Sequence, residues 1–283
     1  MKIFNSSLEL GKQLKVQKAA AHSIGFVPTM GALHDGHLSL INTAVKNNDF
    51  VVVSIFVNPT QFDNHKDLDQ YPKTLESDLE KIKSISSSNL AVFNPSVQEI
   101  YGTSIVSAKF NFSGLERQME GKFRPGHFDG VGTVVQKLFN IVSPDIAYFG
   151  EKDFQQLQII KKLVSIAKIK TEIVSCPILR EPNGLAMSSR NKRLTQVEKE
   201  RASKLYRTLK SVQEQFAEKN IQSIVEGVQN QFMDDDLLKL EYFQIAEEST
   251  LKPITSYDSS KQYRAFIAAH IRDVRLIDNI ALN

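Results

Sequence analysis

The stretch Phe26-Val27-Pro28-Thr29-Met30-Gly31-Ala32-Leu33-His34-Asp35-Gly36-His37 runs from an apolar strand end, through a glycine turn, into two histidines that flank a glycine. Upstream, Ser23 to Pro28 reads as a strand. Downstream, His37 to Asn47 has the spacing of an amphipathic helix and Phe50 to Val57 that of a buried strand, the beginning of a βαβ unit. The alternation continues with a helix over Thr74 to Ile85, a polar link at Ser84 to Ser88 and a strand over Leu90 to Phe93. A helix over Val131 to Val142, a strand over Ile146 to Phe149, a helix over Phe154 to Ala167 and a strand over Lys170 to Val174 follow. Such alternation predicts a parallel sheet covered by helices on both faces, with binding residues in the loops that leave the carboxyl ends of the strands.

After Arg180 the texture changes. A polar stretch, Arg180 to Arg193, leads into a long helical pattern from Gln196 to about Glu218 and another from Ile221 to Phe232, then two strand candidates, Leu240 to Ala246 and Tyr263 to Ile271. The expectation is an α/β chain: a Rossmann-like parallel-sheet domain over residues 1–177 and a smaller C-terminal α+β domain over 178–283. A length of 283 residues agrees with about two domains at roughly 150 residues each.

Composition narrows the function. With 41% hydrophobic and 24% charged residues the chain is of the ordinary globular kind. A net charge of +3 is too small for a protein that neutralises a nucleic-acid backbone, so no nucleic-acid partner is expected and any anion is held locally. The single cysteine, Cys176, cannot close an internal disulfide and offers no thiolate cage for zinc. The first residues lack a signal-like apolar run and no stretch is long and apolar enough to span a bilayer, which predicts a cytoplasmic chain without a membrane partner.

Four segments carry chemistry. The His34-Asp35-Gly36-His37 turn opens a helix, where unpaired backbone N–H groups favour a phosphate and imidazoles can add hydrogen bonds. Two histidines three apart could instead share a metal, although no zinc-protease glutamate and no third ligand stand nearby, or the turn could be purely structural. At the end of the next strand Gln61 offers both a donor and an acceptor, suited to a substrate hydroxyl or carboxylate, or is an ordinary turn residue. Gly150-Glu151-Lys152-Asp153 repeats the theme of strand, glycine and polar helix start. Lys152 is a mobile point charge, and Asp153 is either a helix cap or a partner for ribose hydroxyls. Met187-Ser188-Ser189-Arg190-Asn191-Lys192-Arg193 sets two hydroxyls beside three cations, within a region, 152–199, that holds ten Lys or Arg against four Asp or Glu.

The two histidines and the Met-Ser-Ser-Arg segment resemble the HIGH and KMSKS signatures of the nucleotidylyltransferase superfamily. More closely, Pro28 to His37, Phe56 to Phe62, Tyr71 to Thr74, Arg124 to Phe128, Phe149 to Gln156 and Gly184 to Asn191 resemble, in order, the motifs of the pantothenate synthetase family, and Val274 to Asn279 also fits. That resemblance implies an ATP-dependent ligase that joins pantoate to β-alanine through a pantoyl adenylate, with Mg²⁺ accompanying ATP and a homodimer built from N-terminal domains. It implies that His34 and His37 meet the reacting phosphates. Lys152, together with Ser188, Ser189 and Arg190 on a C-terminal lid, would hold the triphosphate with His37, Lys152 itself lying in the first domain. Gly150 and Asp153 would meet the ribose, Leu179 and Met187 the adenine edge, and Met30 the ATP site as well as pantoate. Gln61 and Gln156 would grip pantoate, with Pro28, Met30 and Phe62 against its methyls. Arg124 could serve phosphate, the β-alanine carboxylate or structure. Asp78 matches an acidic position near the metal-bound phosphates, though Ser77 stands where some relatives carry a carboxylate. A nucleotide-conjugating transferase, a synthetase fragment acting on tRNA and a nucleotide sensor compete with this reading. The two glutamines, the short chain and the retained His34, His37, Lys152 and Arg190 argue against them in turn.

Overall fold

The computed structural model describes residues 1–62 and 68–283. Its strands are β1 (Lys2–Phe4), β2 (Ile24–Thr29), β3 (Phe50–Ile55), β4 (Leu90–Phe93), β5 (Ile146–Gly150), β6 (Glu172–Cys176), β7 (Leu238–Glu247), β8 (Tyr263–Ile271) and β9 (Val274–Ala281). The helices are α1 (Ser7–Ala19), α2 (Asp35–Asn47), α3 (Leu75–Ile85), α4 (Val97–Tyr101), α5 (Met119–Phe123), α6 (His127–Val142), α7 (Phe154–Ile166), α8 (Gln196–Ala202), α9 (Lys204–Gln215) and α10 (Ile221–Met233). Two compact units result: Met1–Glu151 with Gln156–Pro177, and Ile178–Asn283 with the short segment Lys152–Gln155.

The first unit holds a six-stranded parallel sheet in the order β1-β4-β3-β2-β5-β6. Every residue of β3 is buried, as expected where helices cover both faces of a parallel sheet. On one face Val27, Val51, Val53 and Val92 pack with Leu40, Ile41 and Ala44 of α2 and Ile82 of α3. Elsewhere Phe139 of α6 meets Phe26 and Phe149 edge-on. The chain winds from β2 out to β4 and returns past β2 to β5, so the direction of winding reverses between β2 and β5, where open α/β sheets bind ligands. Pairing there is incomplete. The β2–β3 ladder runs to Thr29–Ile55, whereas the β2–β5 ladder stops at Phe26–Ala147. Pro28, which has no N–H to give, lies beyond that stop, so a proline in a central strand removes no rung from the β5 side.

The second unit is an antiparallel sheet, β7-β8-β9, with a core formed by Leu205, Leu209 and Val212 of α9, Ile224, Val228 and Phe232 of α10, and alternate residues of the strands. The α/β class with a smaller α+β unit is as expected, but some elements differ. The helix anticipated from Gln196 to Glu218 is broken at Ser203. This residue is fully buried, its hydroxyl donates to the Glu200 carbonyl at 2.7 Å and accepts from Arg207 at 2.8 Å, and its side chain competes with a regular helical turn. The sheet has a third strand, β9, and β1 and α1 precede the anticipated first strand. Cys176 is buried, and burial, with the charge of Glu151 adding to it, pushes its thiol up to about 11, which disfavours the thiolate that a nucleophile needs. Among the described residues no helix is long and apolar enough to cross a membrane.

Candidate active site

The turn after β2 is held from several sides. Gly31 adopts φ +84°, a left-handed conformation that glycine takes without strain, and a Cβ there would meet Ile55 Cγ2 at 3.0 Å and Asp78 Oδ2 at 3.1 Å. Asp78 is fully buried, and its Oδ1 accepts from Leu33 N at 2.8 Å and from the Thr74 hydroxyl at 3.2 Å. Lys81 donates to the Leu33 carbonyl at 2.7 Å and the Tyr71 hydroxyl to the Gly31 carbonyl at 3.3 Å. These anchors lie on α3 and just before it, so a helix outside the motif fixes where the motif stands.

His34 is the N-cap of α2. Its Nδ1 accepts from Gly36 N at 3.2 Å, while Nδ1 of His37 accepts from His34 N at 3.4 Å, a reciprocal capping box in which histidine takes the usual place of serine and glutamate. The rings lie 4.0 Å apart between centroids. An Nδ1 that accepts cannot carry the proton of a neutral imidazole, so the network assigns that proton to Nε2 in both rings. Two ring N–H donors therefore stand at the positive end of a helix whose first backbone N–H groups are already capped, and donors at such an end suit a phosphate.

A second cluster surrounds the turn after β3. Gln61 is buried, its Oε1 accepts from Asn58 Nδ2 at 3.0 Å and its Nε2 donates to the Met30 sulfur at 3.1 Å. Asn58 also donates to the Gly130 carbonyl at 3.2 Å and accepts from the Tyr101 hydroxyl at 2.6 Å. Burial raises the Tyr101 phenol above its ordinary range and keeps it a donor. His127 is buried and donates from Nδ1 to the Gln61 carbonyl at 2.8 Å. Arg124 reaches the same carbonyl at 3.3 Å and His127 Nε2 at 3.3 Å. Phe62 lies edge-on to Tyr71, and Pro28, Met30 and Phe62 are half-buried apolar side chains of this unit. Gly150 ends β5, and Gln156 is half-buried in the first turn of α7.

The remaining candidates belong to the second unit. Lys152 and Asp153 sit in a 3₁₀ turn, their charged ends 3.6 Å apart, with Lys152 largely covered. The Leu179–Arg190 loop folds back on itself: Met187 N donates to the Leu179 carbonyl at 3.0 Å, and Arg180 and Ala186 form a bridge. Ser188 caps the 3₁₀ turn Ser189–Arg193, accepting from Arg190 N at 3.3 Å, and Ser189 is buried. The residues expected around phosphate thus fall into two sets, His34 and His37 in one unit and Lys152, Ser188, Ser189 and Arg190 in the other. Sequence reasoning gave no role to Asn58, Tyr101, Gly130, Thr74 or Lys81; Thr74 bonds Asp78 four residues on, and the others act through contacts distant in the chain.

The donor set does not furnish a cage for a metal. Among the described residues no three His, Cys, Asp or Glu converge. Asp78 has one oxygen committed to the turn, and its Oδ2, although without a hydrogen-bond partner, is fully buried beside Gly31.

A doubly wound parallel sheet whose reversal point carries an HxGH turn defines a nucleotide-binding α/β enzyme of the HIGH type. The family model for pantoate–β-alanine ligase matches residues 2–281. Pantothenate synthetase from Christiangramia forsetii is 51% identical over 283 residues and that from Flavobacterium psychrophilum 52% over 282, with 100% of both chains covered in each case. The crystal structure of pantothenate synthetase from Thermus thermophilus superposes with a TM-score of 0.89 at 35% identity, covering 100% of this chain and 99% of that one. The pantoate–β-alanine ligase from Francisella tularensis, solved with β,γ-ATP and β-alanine, does so with 0.77 at 38% identity, covering 100% and 98%. The chain belongs to the pantoate–β-alanine ligase family.

Proposed function

We propose that this chain condenses pantoate with β-alanine at the expense of ATP. A carboxylate does not yield to an amine because its oxygen is a poor leaving group. In the first step a pantoate carboxylate oxygen attacks the α-phosphorus of ATP, the new P–O bond replaces the bond to pyrophosphate, and pantoyl adenylate forms. In the second, the free amine of β-alanine attacks the acyl carbon, the C–O bond to AMP breaks, and the amine proton passes to solvent. Catalysis in the first step is alignment and stabilisation of charge moving onto pyrophosphate.

The observation that carries this reading is the histidine capping box at the sheet's reversal point, which commits both Nδ1 atoms as acceptors and so makes Nε2 the donor of each ring. His34 and His37 are proposed to hold the reacting phosphate, with Lys152, Ser188, Ser189 and Arg190 on the triphosphate. Gly150 and Asp153 are proposed for the ribose, and Leu179, Met187 and Met30 for the rest of the nucleotide. Gln61 and Gln156 would bind pantoate through hydroxyl and carboxylate, against Pro28, Met30 and Phe62. Arg124 is assigned to holding the Gln61 main chain. Mg²⁺ is proposed to come bound to the ATP phosphates, and Asp78 to act as the anchor of the Gly31–His34 turn. A homodimer and a cytoplasmic setting complete the reading. Ile105 and Val106 of the first unit, 53% and 66% exposed, are side chains that an interface between copies would cover.

Exchange of labelled pyrophosphate into ATP, with Mg²⁺ and pantoate but without β-alanine, isolates the first step. Exchange that depends on pantoate is the expected result. Exchange without pantoate, or none from folded ATP-binding protein, would overturn the proposal.

A further inference from the structure

The run Val274-Arg275-Leu276-Ile277-Asp278-Asn279 lies in β9 and ends in two buried polar residues, 4% and 2% exposed. Burying polar groups in a strand is costly unless they are bonded. Adjacent strand residues point to opposite faces, and each of these reaches a different segment proposed for phosphate. Asp278 accepts from Arg180 at 2.6 and 3.0 Å. Arg180 also donates to the Gly184 carbonyl at 3.1 Å and lies 3.8 Å from the Tyr206 ring centroid, which pins the base of the loop that carries Ser188, Ser189 and Arg190. On the other face Asn279 Nδ2 donates to the carbonyl of Lys152 itself at 2.9 Å.

The Asn279 amide is oriented from behind. Its Oδ1 accepts from Arg264 Nη1 at 2.6 Å. Arg264 is buried, its guanidinium sits 4.0 Å from the Phe154 ring centroid, and its Nε donates to Glu248 at 2.7 Å. A flipped amide would set N–H against guanidinium and oxygen against a carbonyl, so only one orientation satisfies both neighbours. Lys152 stands in a three-residue 3₁₀ turn, which supplies little rigidity of its own, and a lysine is a point charge on a long mobile stem. Such a charge serves a transition state only if its root is fixed.

We propose that Asn279 is a positioning residue: it fixes the main chain at Lys152, with Arg264 orienting its amide, so that the ammonium meets the triphosphate from a set origin. The inference rests on the proposed role of Lys152. The test uses Asn279→Ala, Asn279→Asp and Lys152→Ala in pantoate-dependent pyrophosphate exchange, with melting curves for each. The Asp variant keeps the acceptor for Arg264 but cannot donate to the Lys152 carbonyl. Both Asn279 variants are expected to lose turnover by up to about 10²-fold, with the ATP KM within about threefold of wild type. The Asp variant sets a carboxylate oxygen against the Lys152 carbonyl, so it is expected to melt below wild type while staying folded at the assay temperature. Where the Ala variant fails to fold, the Asp variant decides. Wild-type turnover in Asn279→Asp beside an impaired Lys152→Ala overturns the inference, as does a loss that only tracks the folded fraction. Wild-type turnover in Lys152→Ala overturns instead the assignment of Lys152 to phosphate.

Discussion

Gly130→Ala sets two physical effects against each other. Gly130 lies inside α6, where alanine is favoured over glycine by up to about 1 kcal/mol, so propensity alone predicts a more stable protein. Packing predicts the reverse. A Cβ at this position would stand 2.3 Å from the Thr60 carbonyl oxygen, 2.6 Å from its carbon and 2.8 Å from Gln61 Cα, where ordinary contact begins at 3.4 Å. The helix and the Thr60–Gln61 turn must part by about 1 Å, and the obstacle is main chain, which cannot swing aside. Overpacking of this kind costs about 1–3 kcal/mol, which outweighs the propensity gain. The same displacement strains the Asn58 bond to the Gly130 carbonyl and carries Gln61 off its position, and 1 Å at a positioning group costs up to about 10²-fold in rate. Thermal melting together with pantoate-dependent exchange checks both halves. The expected outcome is a lower Tm and a fall in kcat/KM for pantoate that exceeds any change in the ATP KM. A variant that melts higher than wild type with unchanged pantoate kinetics would refute the reasoning.

His37→Gln keeps an acceptor for the His34 N–H, since glutamine suits that capping position, but removes the imidazole donor; turnover should fall by roughly 10²–10³-fold with a near-normal ATP KM, and a change confined to KM would count against the assignment. Asp78→Asn retains an acceptor for Leu33 N, so the Mg²⁺ concentration that half-saturates exchange should stay within about threefold of wild type, whereas an Asp78 that bound the ion would shift it by about 10-fold or more. Although burial raises the Asp235 carboxyl, hydrogen bonds from Leu238 N, Lys204 and Arg201 and the Lys204 charge hold it down at about 2. Because this folded-state value is depressed, its contribution, of order 2 kcal/mol, is present above pH about 4 and is lost as pH falls toward 2. Asp235→Asn should therefore be less stable than wild type in urea at pH 7, with the gap closing between pH 4 and 2; a gap independent of pH would contradict this.

The parallel sheet was legible because β3 is an unbroken apolar run and the His34-Asp35-Gly36-His37 turn marks a strand-to-helix junction. Helix α1 was harder to read: Leu8 and Val16 are exposed while only Leu10 and Leu14 are buried, so its apolar residues do not trace the buried face. Strand β9 was obscured by Asp278 and Asn279, residue types that disfavour strands. Their reason for being there is contact with Arg180, 98 residues away, and with Lys152, 127 residues away. The same limit applies at the site. Local motifs announced His34, His37 and Lys152, whereas the groups that hold them, Asp78, Lys81 and Asn279, are polar residues whose partners only the folded chain reveals.

In the capping box one ring carries two functions on opposite edges, Nδ1 as the acceptor that starts a helix and Nε2–H as a donor. Substitution therefore has little freedom at His34. Serine or aspartate would improve the helix start and erase the ring donor, while arginine or lysine would supply a donor and leave the Gly36 N–H without an acceptor. If His34 has the role proposed for it, engineering for thermostability at this helix would select against the chemistry, and a library scored only on folding would enrich inactive protein at this position.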